Sequence, residues 1–309
     1  MAEAARRAAP SRRREGTVLP VLTVVAVLLL AWYVFAVVLN APWARDQAAR
    51  DGQTLGPAAL AAATLAQERP RLPAPHQVVA ELWKTTVATP VTSKRSLVYH
   101  AWVTLSATLA GFVLGAGLGI LLAIGIVHDR TMDASVMPWV IASQTIPILA
   151  IAPMIIVVLN SIGVTGLLPK ALISMYLSFF PVVVGMVQGL RSPDRMLLDQ
   201  MRTWNASRRQ VFLRLRWPAA VPWLFASLKV GVAASLVGAI VGELPTGAVA
   251  GLGARMLSGS YYGQTVQIWA AIFMAALLAA ALVGVIGLAE RITARAMGRA
   301  TGRAMGAGR

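Results

Sequence analysis

The 309-residue chain contains no cysteine, which excludes a disulfide framework, a thiol nucleophile and any Cys-ligated metal. Histidine is nearly as scarce: His76, His100 and His128 stand at unrelated positions with no metal-ligand spacing. No pair of acids lies inside an apolar run, and the serines of those runs have no base to activate them, so the groups that acid–base or nucleophilic catalysis needs are not assembled. The chain reads as a non-enzyme. None of its four lysines follows a glycine, so there is no G-x-x-x-x-G-K-[ST] phosphate loop and no nucleotide site is encoded. Charge as a whole is thin, at 13% of residues against roughly 25% in soluble domains. With 57% hydrophobic residues and a mean hydropathy of +0.68, the composition is that of an all-α polytopic membrane protein.

What charge there is leans to one sign: 28 Lys and Arg face 12 acids, for a net +16. No RNA- or DNA-binding motif accompanies the basic residues, which sit in tails and loops between apolar runs, where anionic lipid is their natural partner. Six runs approach the roughly 20 residues needed to cross a bilayer: Val18–Leu39, Ala101–Val127, Met137–Leu159, Leu167–Leu190, Ala220–Val241 and Val266–Leu288. The first is preceded by Arg6, Arg7 and Arg12–Arg14, but it is too long for a signal-peptide core, and Asn40-Ala41-Pro42 is a poor cleavage site. Ser11–Arg14 also lacks the apolar residue that a twin-arginine signal requires after it. The run therefore reads as an anchor.

The richest basic segment, Arg191–Arg216, holds seven arginines against Asp194 and Asp199. Short loops of this kind stay in the cytoplasm, which predicts both termini there, in a multi-pass membrane protein. The predicted order is a basic cytoplasmic tail (1–17), a first transmembrane helix (18–40) and an external segment (41–98). A core of five helices (99–290) follows, containing the loop 191–218, and then a second basic tail (291–309). The external segment should carry an amphipathic helix from about His76 to Ala88, entered through the stiff Leu72-Pro73-Ala74-Pro75.

Gly111, Gly115 and Gly119, like Gly238 and Gly242, recur at i+4 and predict faces on which helix backbones approach closely. Pro138, Pro147 and Pro153 predict a kinked or broken third span. Ser143, Gln144 and Thr145 precede Pro147; they either line a pathway or satisfy backbone that the proline frees. Met154, Tyr176 and Ser178 are further candidates for the lining. Lys229 is the one charge well inside a run, and either meets an anionic solute or snorkels to the interface. Glu243 can cap or bend the Gly-rich segment Gly242–Gly263, which either contacts an external partner or forms a tight packed turn.

Within the arginine-rich loop, Ser192-Pro193-Asp194 has the makings of a helix opening, and Leu197, Met201 and Trp204 form one apolar stripe at i, i+4 and i+7. Asn205 tolerates the left-handed bend that ends a helix. Ser207 with Gln210 is a capping box for a second helix, which presents Val211, Phe212 and Leu215 and should stop at Pro218. Such a loop either lies on lipid or docks a soluble partner.

This loop resembles the signature of binding-protein-dependent ABC importer permeases: E-A-A, three residues, G, nine residues, I-x-L-P. Asp199, Gln200 and Met201 occupy the E-A-A positions, Asn205 the glycine, Leu215 the isoleucine and Trp217-Pro218 the final pair. The resemblance extends over about Leu72–Arg291, to the branch serving nitrate, alkanesulfonates, taurine and heterocyclic vitamin precursors. It rests there on Leu72–Pro75, His100 with Thr104-Leu105, the glycines of the second span, Pro147 with Ala150 and Pro153, and Glu243 before Gly251–Gly253. The branch's W-F-G is replaced by Val158-Leu159-Asn160. The resemblance implies a type I importer built on two permease copies. Residues Asp199–Asn205, Ser207, Leu215 and Pro218 would couple to a separate cytoplasmic ATPase that holds ATP and Mg, and an external binding protein would deliver a small polar or anionic solute, sulfonate-like, nitrate-like or a pyrimidine-like heterocycle. The alternative reading is an ion-coupled secondary carrier for a small organic anion, although so few buried charges argue against proton coupling.

Overall fold

The structure is a computed structural model and describes residues 18–244 and 248–298. The tail predicted at 1–17, the end of the tail predicted at 291–309, and Thr246 lie outside the described residues. Among the described residues every regular element is helical, as apolar runs require where water cannot satisfy the backbone. Five helices are long and apolar enough to cross a membrane. Four of them are α1 (Val18–Arg50), α4 (Leu97–His128), α7 (Leu167–Arg191) and α12 (Thr265–Ala296), and the fifth spans Arg208–Glu243. A bent pair stands where the third span was predicted: α5 (Arg130–Ser143) and α6 (Ile148–Ser161) meet at 97°, which makes up to six spans if the pair counts as one. The third run is thus broken, and the break falls at Pro147, while Pro138 and Pro153 lie inside helices.

The chain divides into two compact units between Glu81 and Leu82. In the first, α1 continues past the predicted end at Leu39 to Arg50. Ala41 and Ala44 on this extension are buried against Leu60 of α2 (Pro57–Leu65), a helix the sequence did not announce. Asn40, 1% exposed, accepts from the amides of Arg71 (2.7 Å) and Leu72 (3.3 Å) and donates to the Leu72 carbonyl (2.9 Å). Trp32 Nε1 donates to the Pro73 carbonyl at 3.0 Å. The stiff Leu72–Pro75 lead-in is therefore stitched to α1, and it opens α3 (Pro75–Trp83), which a π-helical turn carries to Ala88 as predicted.

In the second unit, α4, α7 and α10 (Trp217–Glu243) form the core. Phe112 and Ile126 of α4 meet Val182, Val183, Met186 and Leu190 of α7 and Val232 of α10. Glycine permits this closeness: a Cβ at Gly111 would fall on Ser174, one at Gly115 on Ser178, and one at Gly119 would lie 2.9 Å from the Phe179 carbonyl. Hydroxyls then join the helices. Ser174 Oγ donates to the Ser235 carbonyl (2.6 Å) and Ser235 Oγ to that of Thr108 (2.8 Å); such bonds average about 0.6 kcal/mol in a membrane. Gly111→Leu should abolish the monodisperse folded protein in size-exclusion chromatography. Gly117→Leu, at a position with nothing within 4 Å, should not.

Two local expectations for the loop are corrected. Ser192 does not cap a new helix: α7 runs to Arg191, and Ser192 closes it by donating Oγ to the Gly189 carbonyl at 2.8 Å. Asp194 caps α8 (Arg195–Thr203) instead, accepting from the Met196 amide at 3.2 Å. Nor does the following helix stop at Pro218. From α9 (Arg208–Val211) it passes through a π-helical turn, Phe212–Arg216, into α10. In that turn the Trp217 amide reaches the Phe212 carbonyl; this wider register absorbs a proline that an α-helical turn would reject.

Candidate functional site

The loop forms the bent pair of helices that its caps predicted. Asn205 takes φ = 50°, the one positive-φ non-glycine among the described residues, and the Ser207–Gln210 capping box is closed in both directions. Asp199, Gln200 and Met201 lie on α8, with Asp199 paired to Arg202 at 2.8 Å. No residue of α8 is buried. Of the predicted stripe, Leu197 is 44% exposed and Trp204 68%, with Met196 beside them at 76%, while Met201 is half-buried; two of its three residues are thus exposed. Leu215 and Pro218 are half-buried where the π-helical turn joins α10. Behind α8 lies a cleft of about 380 Å³, lined by Val127, His128, Leu198, Arg202, Arg208 and Arg216 among others.

The broken span brings part of the predicted lining together. Ser143 Oγ donates to the Val140 carbonyl (2.7 Å) and Thr145 Oγ1 to that of Ala142 (2.8 Å). These hydroxyls thus satisfy carbonyls at the end of α5. Gln144, exposed at the bend, touches only Ser143 Oγ, at 3.5 Å. Tyr176 of α7 donates to the Ser143 carbonyl, and with Met154 it lines a cavity of about 440 Å³ between α6 and α7. Ser178 belongs elsewhere: fully buried, it packs between α4 and α7 with Oγ directed at the Gly111 (3.4 Å) and Met175 (3.2 Å) carbonyls.

Lys229 has a partner that neither reading anticipated. It is paired with Glu290 of α12, which the sequence placed beyond the last span because the apolar run ends at Leu288, whereas the helix continues to Ala296. The charge is paired at a half-buried position. Lys229→Met should therefore lower stability by only about 0.5–1 kcal/mol, and Lys229→Met with Glu290→Met should recover most of it, read as thermal midpoints in one detergent. A second missed pair, Arg191–Asp133 at 2.8 Å, ties the end of α7 to α5. Nothing in a separation of this length marks it in the sequence.

At the other end of the core, Glu243 does more than bend a loop. It is 0% exposed, and its carboxylate accepts from Thr104 Oγ1 (3.0 Å) and the Gly253 amide (2.9 Å), with Lys170 Nζ at 3.8 Å. Thr104 Oγ1 accepts from the Leu252 amide (2.8 Å) and His100 Nδ1 from that of Gly251 (3.0 Å), while His100 Nε2 donates to the Lys94 carbonyl (3.0 Å). Gly251 adopts φ = 129°, and a Cβ there would fall on the Glu243 carboxylate. The polar knot thus clamps the start of α11 (Leu252–Tyr261) onto α4 and α10. The described part of the segment ends in this short helix, whose last residue Tyr261 and C-cap Tyr262 are exposed.

Known proteins are similar in sequence to this chain. Residues 115–299 match the family described as "Binding-protein-dependent transport system inner membrane component". The riboflavin transport system permease protein RibX of Chloroflexus aurantiacus is 33% identical over 72% of this chain and 78% of its own length. The formylaminopyrimidine transport permease protein ThiX of Halalkalibacterium halodurans is 32% identical over 71% of this chain and 80% of its own. More distantly, the putative aliphatic sulfonates transport permease protein SsuC of Bacillus subtilis is 26% identical over 58% and 63%. A helical membrane protein with an exposed, doubly capped loop helix and a family match across most of its second unit is a transport component rather than an enzyme: the chain belongs to the binding-protein-dependent inner membrane components, the permeases of ABC importers.

Proposed function

We propose that two copies of this chain form the pathway of an ATP-driven importer in a bacterial plasma membrane, with the arginine-rich loop and both termini in the cytoplasm. Each copy presses α8, from Asp199 to Asn205, into a groove on a separate ATPase that holds ATP and Mg, and an external binding protein delivers the solute. The observation that carries this reading is the exposure of Leu197 and Trp204, two residues of the apolar stripe, with Met196 beside them, on a helix with no buried residue. It is held at a fixed angle by the Asp194 cap, the Asn205 bend and the Ser207–Gln210 box. An apolar face exposed yet conformationally fixed fits a protein partner, because pre-ordering lowers the entropy cost of docking. The seven arginines around it favour the cytoplasmic side.

For cargo, a small nitrogen heterocycle of the flavin or pyrimidine type is the best-supported class. The relatives named for riboflavin and formylaminopyrimidine stand at 33% and 32% identity over more than two thirds of the chain, ahead of the sulfonate relative at 26%. Lys229, the cation well inside a predicted span, is held by Glu290, and Lys170 near the start of α7 lies 3.8 Å from Glu243. Gln144, exposed at the bend with one long contact, offers the amide donors and acceptors that a heterocycle's ring edge needs.

Purification of the tagged chain from its native membrane in mild detergent, with mass spectrometry of what remains bound, tests the assembly. A stoichiometric ATPase carrying a phosphate-loop motif supports it. A stable permease with no ATPase overturns it.

A further inference from the structure

In an unbroken helix the Ser143 carbonyl would accept the amide N–H four residues on, but that residue is Pro147 and has none. Other carbonyls at the end of α5 are satisfied locally: Val140 by Ser143 Oγ (2.7 Å), Ile141 by the Gln144 amide (3.1 Å), and Ala142 by the amide and hydroxyl of Thr145 (3.0 and 2.8 Å). The Ser143 carbonyl instead takes its donor from another helix, the hydroxyl of Tyr176 on α7. The same problem arises at Pro193, whose missing amide would have served Gly189; there the adjacent Ser192 supplies the hydroxyl at 2.8 Å, and the repair stays local. At Pro147 the repair crosses between helices and so becomes a mechanical tie. The first turn of α5 is joined to α7 as well, through Asp133 and Arg191 at 2.8 Å. The helix α5 is thus fastened to α7 near both its ends, while α6 leaves it at 97°.

We propose that Tyr176 is a positioning residue for transport: its hydroxyl stands in for the amide that Pro147 lacks and, with the Arg191–Asp133 pair, makes α5 a rigid extension of α7. The far end of α7 opens the arginine-rich loop, so a displacement of the loop is delivered to α5 and ends at the bend 144–147. This role rests on the reading of the loop as the ATPase contact. Replacing Tyr176 by Phe keeps the ring against the α6–α7 cavity and removes only the donor.

The test uses the chain with its ATPase in lipid nanodiscs, spin-labelled at Trp139→Cys on α5 and Asn160→Cys on α6 before assembly and diluted with unlabelled chain, so that distances within one copy are read; this chain has no other cysteine. Distance distributions across the bend are measured for four forms: the parent, Tyr176→Phe, Pro147→Ala and the double variant. Tyr176→Phe should broaden the distribution about twofold, whereas in the Pro147→Ala background, where the amide is restored, it should add little, the signature of two coupled sites. Tyr176→Phe should also reduce the ATP-driven change in that distance by about half or more while ATP hydrolysis stays within about twofold. The proposal is overturned if Tyr176→Phe leaves the width unchanged, broadens it equally in both backgrounds, or broadens it without altering the ATP-driven change. If no ATPase accompanies the chain, the coupling reading fails instead, and the four-way comparison on the chain alone still decides whether Tyr176 replaces the amide.

Discussion

A chain in which Asp199–Asn205 is replaced by a Gly/Ser linker will insert and fold but will no longer retain an ATPase. Folding survives because no residue of α8 is buried, so nothing in the core is lost. Binding does not survive, because the replaced segment contains Trp204 and Met201 of the apolar stripe together with the bend that aims it. Removing one such aromatic anchor from an interface costs about 3 kcal/mol, a hundredfold or more in affinity, read as ATPase per permease after affinity purification. Single substitutions separate the contributions. Asn205→Gly should bind as the parent does, since glycine adopts φ = 50° freely. Asn205→Val should weaken binding about tenfold, because a β-branched residue resists that conformation. Trp204→Ala should act as strongly as the linker without altering the bend.

Glu243→Ala should be the most damaging loss of a polar side chain in the second unit away from the loop. Its carboxylate is wholly buried and accepts from Thr104 Oγ1 and the Gly253 amide, with Lys170 beside it. Truncation strands the Gly253 amide, leaves the Thr104 hydroxyl only the His100 carbonyl at 3.2 Å, and leaves the partly covered Lys170 charge without its acid, a loss of about 3 kcal/mol or more. In a protein of this size, 1 kcal/mol moves the thermal midpoint by roughly 2–4 °C, so a drop on the order of 10 °C is expected in detergent. Glu243→Gln keeps the size and one acceptor and should fall between the two. Its cost should shrink when combined with Lys170→Met, because the unpaired charge is then absent. Thr104→Val removes the hydroxyl that also receives the Leu252 amide, and should loosen α11 enough to increase proteolysis at Tyr261-Tyr262.

Much of this architecture was legible because its causes are local. The spans follow from apolar runs, the close helix contacts from Gly111, Gly115 and Gly119, and the loop's bend and second cap from Asn205 and Ser207–Gln210. All depend on residues within a few positions of one another. Three prolines announced a disturbed third span, yet the choice among them was hidden. Pro138 and Pro153 are carried inside helices, and the break settles at Pro147, where Ser143, Thr145 and the distant Tyr176 supply donors to carbonyls at the end of α5. The same kind of distance concealed the partner of Lys229. Glu290 lies past the apolar run, on a polar stretch that remains helical because helix length is not set by hydropathy alone. The mislaid cap at Ser192 has a similar origin: hydroxyl, proline and acid in succession suit either a helix end or a helix start, and α7 claims the serine first.

The central claim is that solute movement through this chain is driven by ATP hydrolysed on another one. It is tested most directly in proteoliposomes holding the purified permease–ATPase complex, with ATP enclosed on the loop side, the cognate binding protein outside, and labelled riboflavin, a formylaminopyrimidine, an alkanesulfonate and nitrate offered in turn. Accumulation of one of these solutes that requires ATP, requires the binding protein and persists when an ionophore collapses the ion gradients is the predicted result. Uptake that proceeds without ATP and disappears with the ionophore would contradict the account and make the chain an ion-coupled carrier.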